Sequence, residues 1–238
     1  MLRAVLLDVG GTLWTNNLVL APGVAEAIWL QQVAEALPEA DSTVVREVLA
    51  GLMDLEVGTR LQSAQGIEAD VARVLARVGL PTDEPRLTAV RRAMVVPARV
   101  GIRRHPGFER LFAAIAPLPV HRAIVSNTNW RDGEGYWRDF RDFGVAQQLH
   151  AITTSVDVGQ KKPHRAMFDA ALSAAGCDAA QAVMVGNSEV ADVIPAKSLG
   201  MRTIRVCIEE SLTTESAADA VVGSLDEVAS LIRRWTHE

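Results

Sequence analysis

Asp8 closes a short apolar run, Ala4-Val5-Leu6-Leu7, and is followed by Val9, Gly10, Gly11 and Thr12. A run of this length, stopped by a glycine pair, fits a parallel strand covered on both faces. A carboxylate at the carboxyl end of such a strand stands where open α/β sheets hold their ligands. The same residue is equally compatible with capping the sharp turn that the glycines permit. Three later stretches also follow apolar runs: Ser126-Asn127, Lys162-Pro163, and Gly186-Asn187-Ser188 with Asp192. Taken singly, Ser126-Asn127 reads as a turn or helix cap and Lys162 as a solvated lysine. Taken together, the stretches offer a hydroxyl, an ammonium, two amides and two carboxylates, groups that position and neutralise charge.

The elements needed to bring them together are legible as patterns. Strands are predicted over 4–8, 120–127, 150–154, 182–185 and 203–207, with helices between them; 221–222 reads as a short packing segment and 225–235 as a closing helix. Between the first two strands, 22–95 shows no strand pattern and reads as four helices, over 22–37, 42–57, 67–78 and 84–94. Pro22 suits a first helical turn, Ser42 a cap, and Gly79-Leu80-Pro81 a stop. Trp29, Met53, Glu56 and Arg60 fall in this helical region, where such residues serve a core more often than a cleft.

Composition narrows the class. The 238 residues, 49% of them hydrophobic, are ample for one or two domains with a real core. A net charge of −5, with no basic cluster beyond short arginine pairs, argues against nucleic acid as a partner. Cys177 and Cys207 have no metal-type spacing and suit a reducing cytoplasm. Asp8 interrupts the only early apolar run, so no signal peptide is expected, and no stretch is long enough to span a membrane. The expectation is a cytoplasmic protein; oligomeric state is not readable. Only three lysines stand against 21 arginines, which makes the position of Lys162 informative.

In order and register, the four stretches resemble the haloacid dehalogenase (HAD) superfamily of aspartate-nucleophile hydrolases, over nearly the whole chain. Lys162, Pro163 and Phe168 fit its third motif, and Gly186-Asn187 with Asp192 its fourth. The resemblance implies a Rossmann-like parallel sheet with helices on both faces, built from 1–16 and 104–238, and a four-helix (C1-type) cap over 17–103. It implies that Asp8 attacks phosphorus and that Ser126 binds a phosphoryl oxygen. Lys162 would neutralise charge, with Gly11, Thr12 and Asn127 around the phosphoryl group. Mg²⁺ would be held by Asp8, the Gly10 carbonyl, Asn187 and Asp192, an oxygen set suited to that ion.

Two departures qualify this expectation. Phosphatases of the superfamily carry an aspartate two residues after the nucleophile that protonates the leaving group; here that position is Gly10. A general acid of this kind is worth roughly 10²–10⁴ in rate, so substrates with good leaving groups should suffer least. The first aspartate of the fourth motif is Asn187, which should weaken Mg²⁺ binding. Three readings follow: a Mg²⁺-assisted phosphohydrolase on a small phosphorylated metabolite, a dehalogenase-type hydrolase whose halide leaves unprotonated, or a weakly active or inactive binder of a phosphorylated ligand. A phosphonatase is disfavoured, because 16–103 contains no lysine to form its Schiff base.

Overall fold

The computed structural model describes residues 1–55, 63–208 and 215–238. Six strands form one parallel sheet in the order β3-β2-β1-β4-β5-β6. They are β1 (Ala4–Leu7), β2 (His121–Ser126), β3 (Ala151–Thr154), β4 (Ala182–Gly186), β5 (Arg202–Val206) and β6 (Ala220–Val222). β1 lies at the centre, and its four residues are wholly buried. Alternate side chains of β1 feed opposite cores: Val5 and Leu7 join one cluster, Ala4 and Leu6 the other. That two-sided burial is why the strand reads as an unbroken apolar run. The pair at 221–222, expected only to pack, is the edge strand β6, hydrogen-bonded to β5.

Between β1 and β2 come α1 (Val24–Ala36), α2 (Ser42–Met53), α3 (Ala64–Arg77), α4 (Glu84–Ala93) and the short α5 (Ala98–Gly101). The first four share a core of their own around Val33, Val48, Leu52, Val71 and Leu75. Asp41, Ser63 and Asp83 cap α2, α3 and α4 by accepting backbone N–H bonds. Pro22 stays outside α1, which begins only after Gly23 turns the chain at φ 80°. α2 ends at Met53, short of the expected Val57, with Asp54 as its C-cap; Glu56, Val57 and Arg60 lie outside the described residues.

The chain leaves the sheet and returns to it along paired segments. Thr15 N–H donates to Arg103 O (2.9 Å) and His105 N–H to Leu13 O (3.0 Å). The bundle rests on the loop after β2: buried Arg91 of α4 donates to Trp130 O (3.0 Å) and pairs with Asp132 (2.9 Å), which Arg92 also reaches. The remaining helices are α6 (Phe108–Ile115), α7 (Gly133–Asp142), α8 (Ser155–Val158), α9 (Arg165–Ala175), α10 (Ile194–Ser198) and α11 (Leu225–His237). α6 and α11 cover one face of the sheet and α9 the other.

Candidate active site

The order β2-β1-β4 places the carboxyl ends of three strands side by side. Asp8 follows β1, Ser126 ends β2, and Asp192 lies just past β4 in a π-helical turn, Glu189–Val193. Lys162 arrives from the loop between α8 and α9. Its Nζ donates to Asp8 Oδ1 (2.7 Å), Asp192 Oδ1 (2.6 Å) and Val125 O (2.8 Å). An ammonium has three donors, and all are used. Asp8, Lys162 and Asp192 are only 7%, 4% and 1% exposed, so this is a buried group of three charges with a net charge of −1. Burial alone would discharge the lysine, but the two carboxylates outweigh it and hold its pKa above the ordinary value. Burial pushes the Asp192 carboxyl upward, Lys162 opposes that rise, and the charge on Asp8 adds to it.

Each charge is braced. Thr12, fully buried, donates its hydroxyl to Asp8 Oδ2 (2.8 Å). Ser188 N–H donates to Asp192 Oδ2 (3.0 Å). Gly186 is required beneath Asp192: a Cβ there would sit 2.4 Å from the carboxylate carbon. The Asn127 amide brackets the Lys162 backbone, accepting its N–H (2.7 Å) and donating to its carbonyl (2.9 Å). Gly11 has φ 75°, and a Cβ on it would meet the Asn187 amide at 2.4 Å.

Some expected contacts are otherwise engaged. The Ser126 hydroxyl shares a hydrogen bond of 2.9 Å with the phenol of Tyr136, whose burial keeps it protonated. The backbone N–H groups of Gly11 and Thr12 close the turn itself, on Trp14 O (2.7 Å) and Val9 O (3.1 Å). Lys161, unlike its neighbour, points out to Asn129. His164 caps α9.

A cavity of about 400 Å³ opens over this group, with Asp8, Gly10, Asn127, Lys162, Asn187 and Asp192 in its wall. Asn16, Ser188, Glu189 and Arg205 also line it, and sequence reasoning had named none of them for the site. Arg205 bonds Asn187 O (3.3 Å) and Glu189 (3.2 Å). Its one signal was an arginine on a strand whose other residues are mostly buried. Among the described residues no cluster of three His, Cys, Asp or Glu side chains is disposed around a metal. The available donors are instead two carboxylates, the Asn187 amide and the Gly10 backbone. All are oxygen ligands around a net negative charge, and they fit a hard divalent cation.

A central parallel sheet with a buried carboxylate–ammonium–carboxylate group at its carboxyl edge, and a helical insertion after the first strand, defines the class of α/β protein to which this chain belongs. The haloacid dehalogenase-like hydrolase model matches residues 2–200, and the chain belongs to that family. A phosphoglycolate phosphatase of Rhodospirillum rubrum is 26% identical over 86% of this chain and 79% of its own length. A ribulose-1,5-bisphosphate 5-phosphatase of Halopiger xanaduensis is 34% identical over 37% of this chain, and a glyceraldehyde 3-phosphate phosphatase of Methanocaldococcus jannaschii 28% over 41%. The chain spans only 41% and 43% of the length of these two relatives. Among solved structures, a 2-haloacid dehalogenase from Pseudomonas syringae pv. Tomato superposes with a TM-score of 0.64, at 23% identity, over 99% of this chain and 100% of that one. A HAD phosphatase from Thermococcus onnurineus gives 0.57 at 18% identity over 97% and 98%. These two likenesses show the fold. No helix among the described residues is long and apolar enough to cross a membrane.

Proposed function

We propose that this chain is a phosphohydrolase in which Asp8 attacks the phosphorus of a small phosphorylated metabolite. The observation that carries the reading is the position of Lys162 Nζ, 2.7 Å from Asp8 Oδ1 at the floor of the cavity. An ammonium there holds the carboxylate in place and offsets the charge of an incoming phosphoryl group. The phosphatase names of the relatives support the same chemistry.

Asp8 forms the new P–O bond and the leaving group departs with the electron pair of the old one. Water then attacks the aspartyl-phosphate, releases inorganic phosphate and restores the carboxylate. Thr12 orients Asp8 through Oδ2. Asn127 fixes the loop that delivers Lys162. Ser126 contributes a phosphoryl ligand when its hydroxyl turns from Tyr136. Asp8, Asp192, Asn187 and the Gly10 carbonyl would hold Mg²⁺, which supplies charge neutralisation when bound. The four-helix layer of α1–α4 acts as the cap that excludes water and selects substrate.

A dehalogenase-type reading has one specific observation in its favour: Lys162 already bridges both carboxylates, an arrangement that serves carbon attack without a metal. A panel assay separates the two. Phosphate release that needs Mg²⁺ and vanishes in Asp8→Asn supports the phosphohydrolase, whereas halide release from 2-haloacids replaces it.

A further inference from the structure

The side chain absent at position 10 has its space filled from elsewhere in the chain. A Cβ built on Gly10 would lie 2.5 Å from Asn16 Oδ1, and one on Gly11 would lie 3.2 Å from Asn16 Nδ2. The Asn16 carboxamide therefore lies over the glycine pair, beside Asp8 in the wall of the cavity. It is exposed to that space, and it makes no hydrogen bond to any described residue. An amide in this place donates two hydrogen bonds, yet it has no proton to give up at neutral pH.

A second, open pocket of about 170 Å³ is lined by residues that neighbour those of the first along the chain. Leu18, Trp29, Val96 and Trp130 supply the apolar part of its wall, and Asn129 and Arg131 a polar part. Two stretches of chain line both spaces: Asn16 faces the reaction cavity and Leu18 the second, while Asn127 faces the reaction cavity and Thr128 the second. Two residues of chain reach at most about 7 Å, so the linings of the two spaces lie close together at both stretches. A cavity of about 150 Å³ with apolar walls is large enough for a benzene ring. Leu18 is 43% exposed there, a large apolar side chain left uncovered beside the reaction site.

We propose that the substrate is a phosphate ester of a phenol-type alcohol. The ring of the leaving group occupies the Leu18–Trp130 cavity, and Asn16 hydrogen-bonds the oxygen between ring and phosphorus. This rests on the phosphohydrolase reading and adds the substrate class to it. As Asp8 bonds to phosphorus, the P–O bond to the ring breaks and its electron pair leaves on oxygen as an aryloxide. The aryloxide needs no proton from the protein, and Asn16 N–H groups stabilise it. A phenol titrates near about 10, whereas an alkoxide lies nearer the ~15.7 of water. Without an acid at position 10, only the former departs readily.

The test is a series of phenyl phosphates whose ring substituents span leaving-group acidity, with ethyl phosphate and acetyl phosphate alongside, assayed with Mg²⁺. The wild-type protein should turn over phenyl phosphate at least about 100-fold faster than ethyl phosphate, the lower end of what an acid supplies. Its rates should fall steeply as leaving-group pKa rises. Asn16→Ala should lower aryl turnover by about tenfold, one hydrogen bond to developing charge. Asn16→Asp places a carboxyl over Gly10 and should flatten the dependence on leaving-group pKa, a change that mere loss of structure does not produce. Leu18→Asn and Trp130→Ala should each raise the KM of phenyl phosphate relative to that of acetyl phosphate, which has no ring, by about tenfold. Equal turnover of ethyl and phenyl phosphate, or a slope unmoved in Asn16→Asp, overturns the inference and leaves the phosphohydrolase reading standing. No release from any ester, or release that survives Asp8→Asn, sinks that reading itself.

Discussion

The amide of Asn127 holds the backbone of Lys162 from both sides, accepting its N–H at 2.7 Å and donating to its carbonyl at 2.9 Å. The lysine side chain then runs into the sheet edge and reaches Asp8. In the proposed mechanism Asn127 acts through another residue. Asn127→Ala should lower kcat by about 10–100-fold, the scale expected when a catalytic group shifts by about an ångström. Asn127→Asp keeps the acceptor and loses the donor, so it should fall between the two. A fall in stability that matches the fall in kcat across both variants would instead mark Asn127 as a purely structural brace.

Lys162 separates two buried carboxylates, and its removal should expose their repulsion. Lys162→Met leaves Asp8 and Asp192 facing each other without a counter-charge, at a cost of about 3–5 kcal/mol. Adding Asp192→Asn should recover part of that loss, a coupling of about 1–3 kcal/mol readable in a double-mutant denaturation cycle. Activity should stay lost in both. Additive effects in the cycle would show that the three groups do not act as one unit.

In the proposed metal site Asn187 would contribute a neutral oxygen where a carboxylate would bind a divalent cation more tightly. Asn187→Asp, which is isosteric, should lower the Mg²⁺ concentration that half-saturates the protein by about tenfold or more. Isothermal titration or the Mg²⁺-dependent rise in Tm reads this without turnover, since a ligand bound only by the folded state stabilises it. An unchanged half-saturation would remove Asn187 from the metal site.

At the opposite edge of the sheet, the rings of His121 and His150 stack with centroids 4.9 Å apart beside buried Arg122. Burial lowers both pKa values first; the neighbouring His150 and Arg122 depress His121 further, and Arg122 depresses His150. The unfolded chain therefore binds more protons than the folded one between the depressed values and about 6.5, and stability rises with pH there. Tm should be flat above about pH 7 and fall as pH drops through 6.5 toward the depressed values. His121→Gln with His150→Gln should flatten that slope. An identical slope in the double variant would assign it to other groups.

The amino-acid sequence determined more of this protein than its helices and strands. The strand that ends on Asp8, the lysine ahead of Pro163 and the spacing of Asn187 and Asp192 were all legible, because burial on two faces and a glycine turn leave local patterns. Of the helices between β1 and β2, α2, α3 and α4 were legible in the same local way, each with a capping side chain of its own. What each side chain touches was not. Ser126 faces Tyr136, Arg205 joins the cavity wall across the sheet, and Asn16 covers Gly10. Such contacts depend on strand order and on how a loop folds back, and residue type alone is silent on both. Sequence supplied the reactive groups; the order β2-β1-β4 and the path of 13–18 decided which of them meet, because only packing in three dimensions brings Lys162 within 2.7 Å of a carboxylate 154 positions earlier.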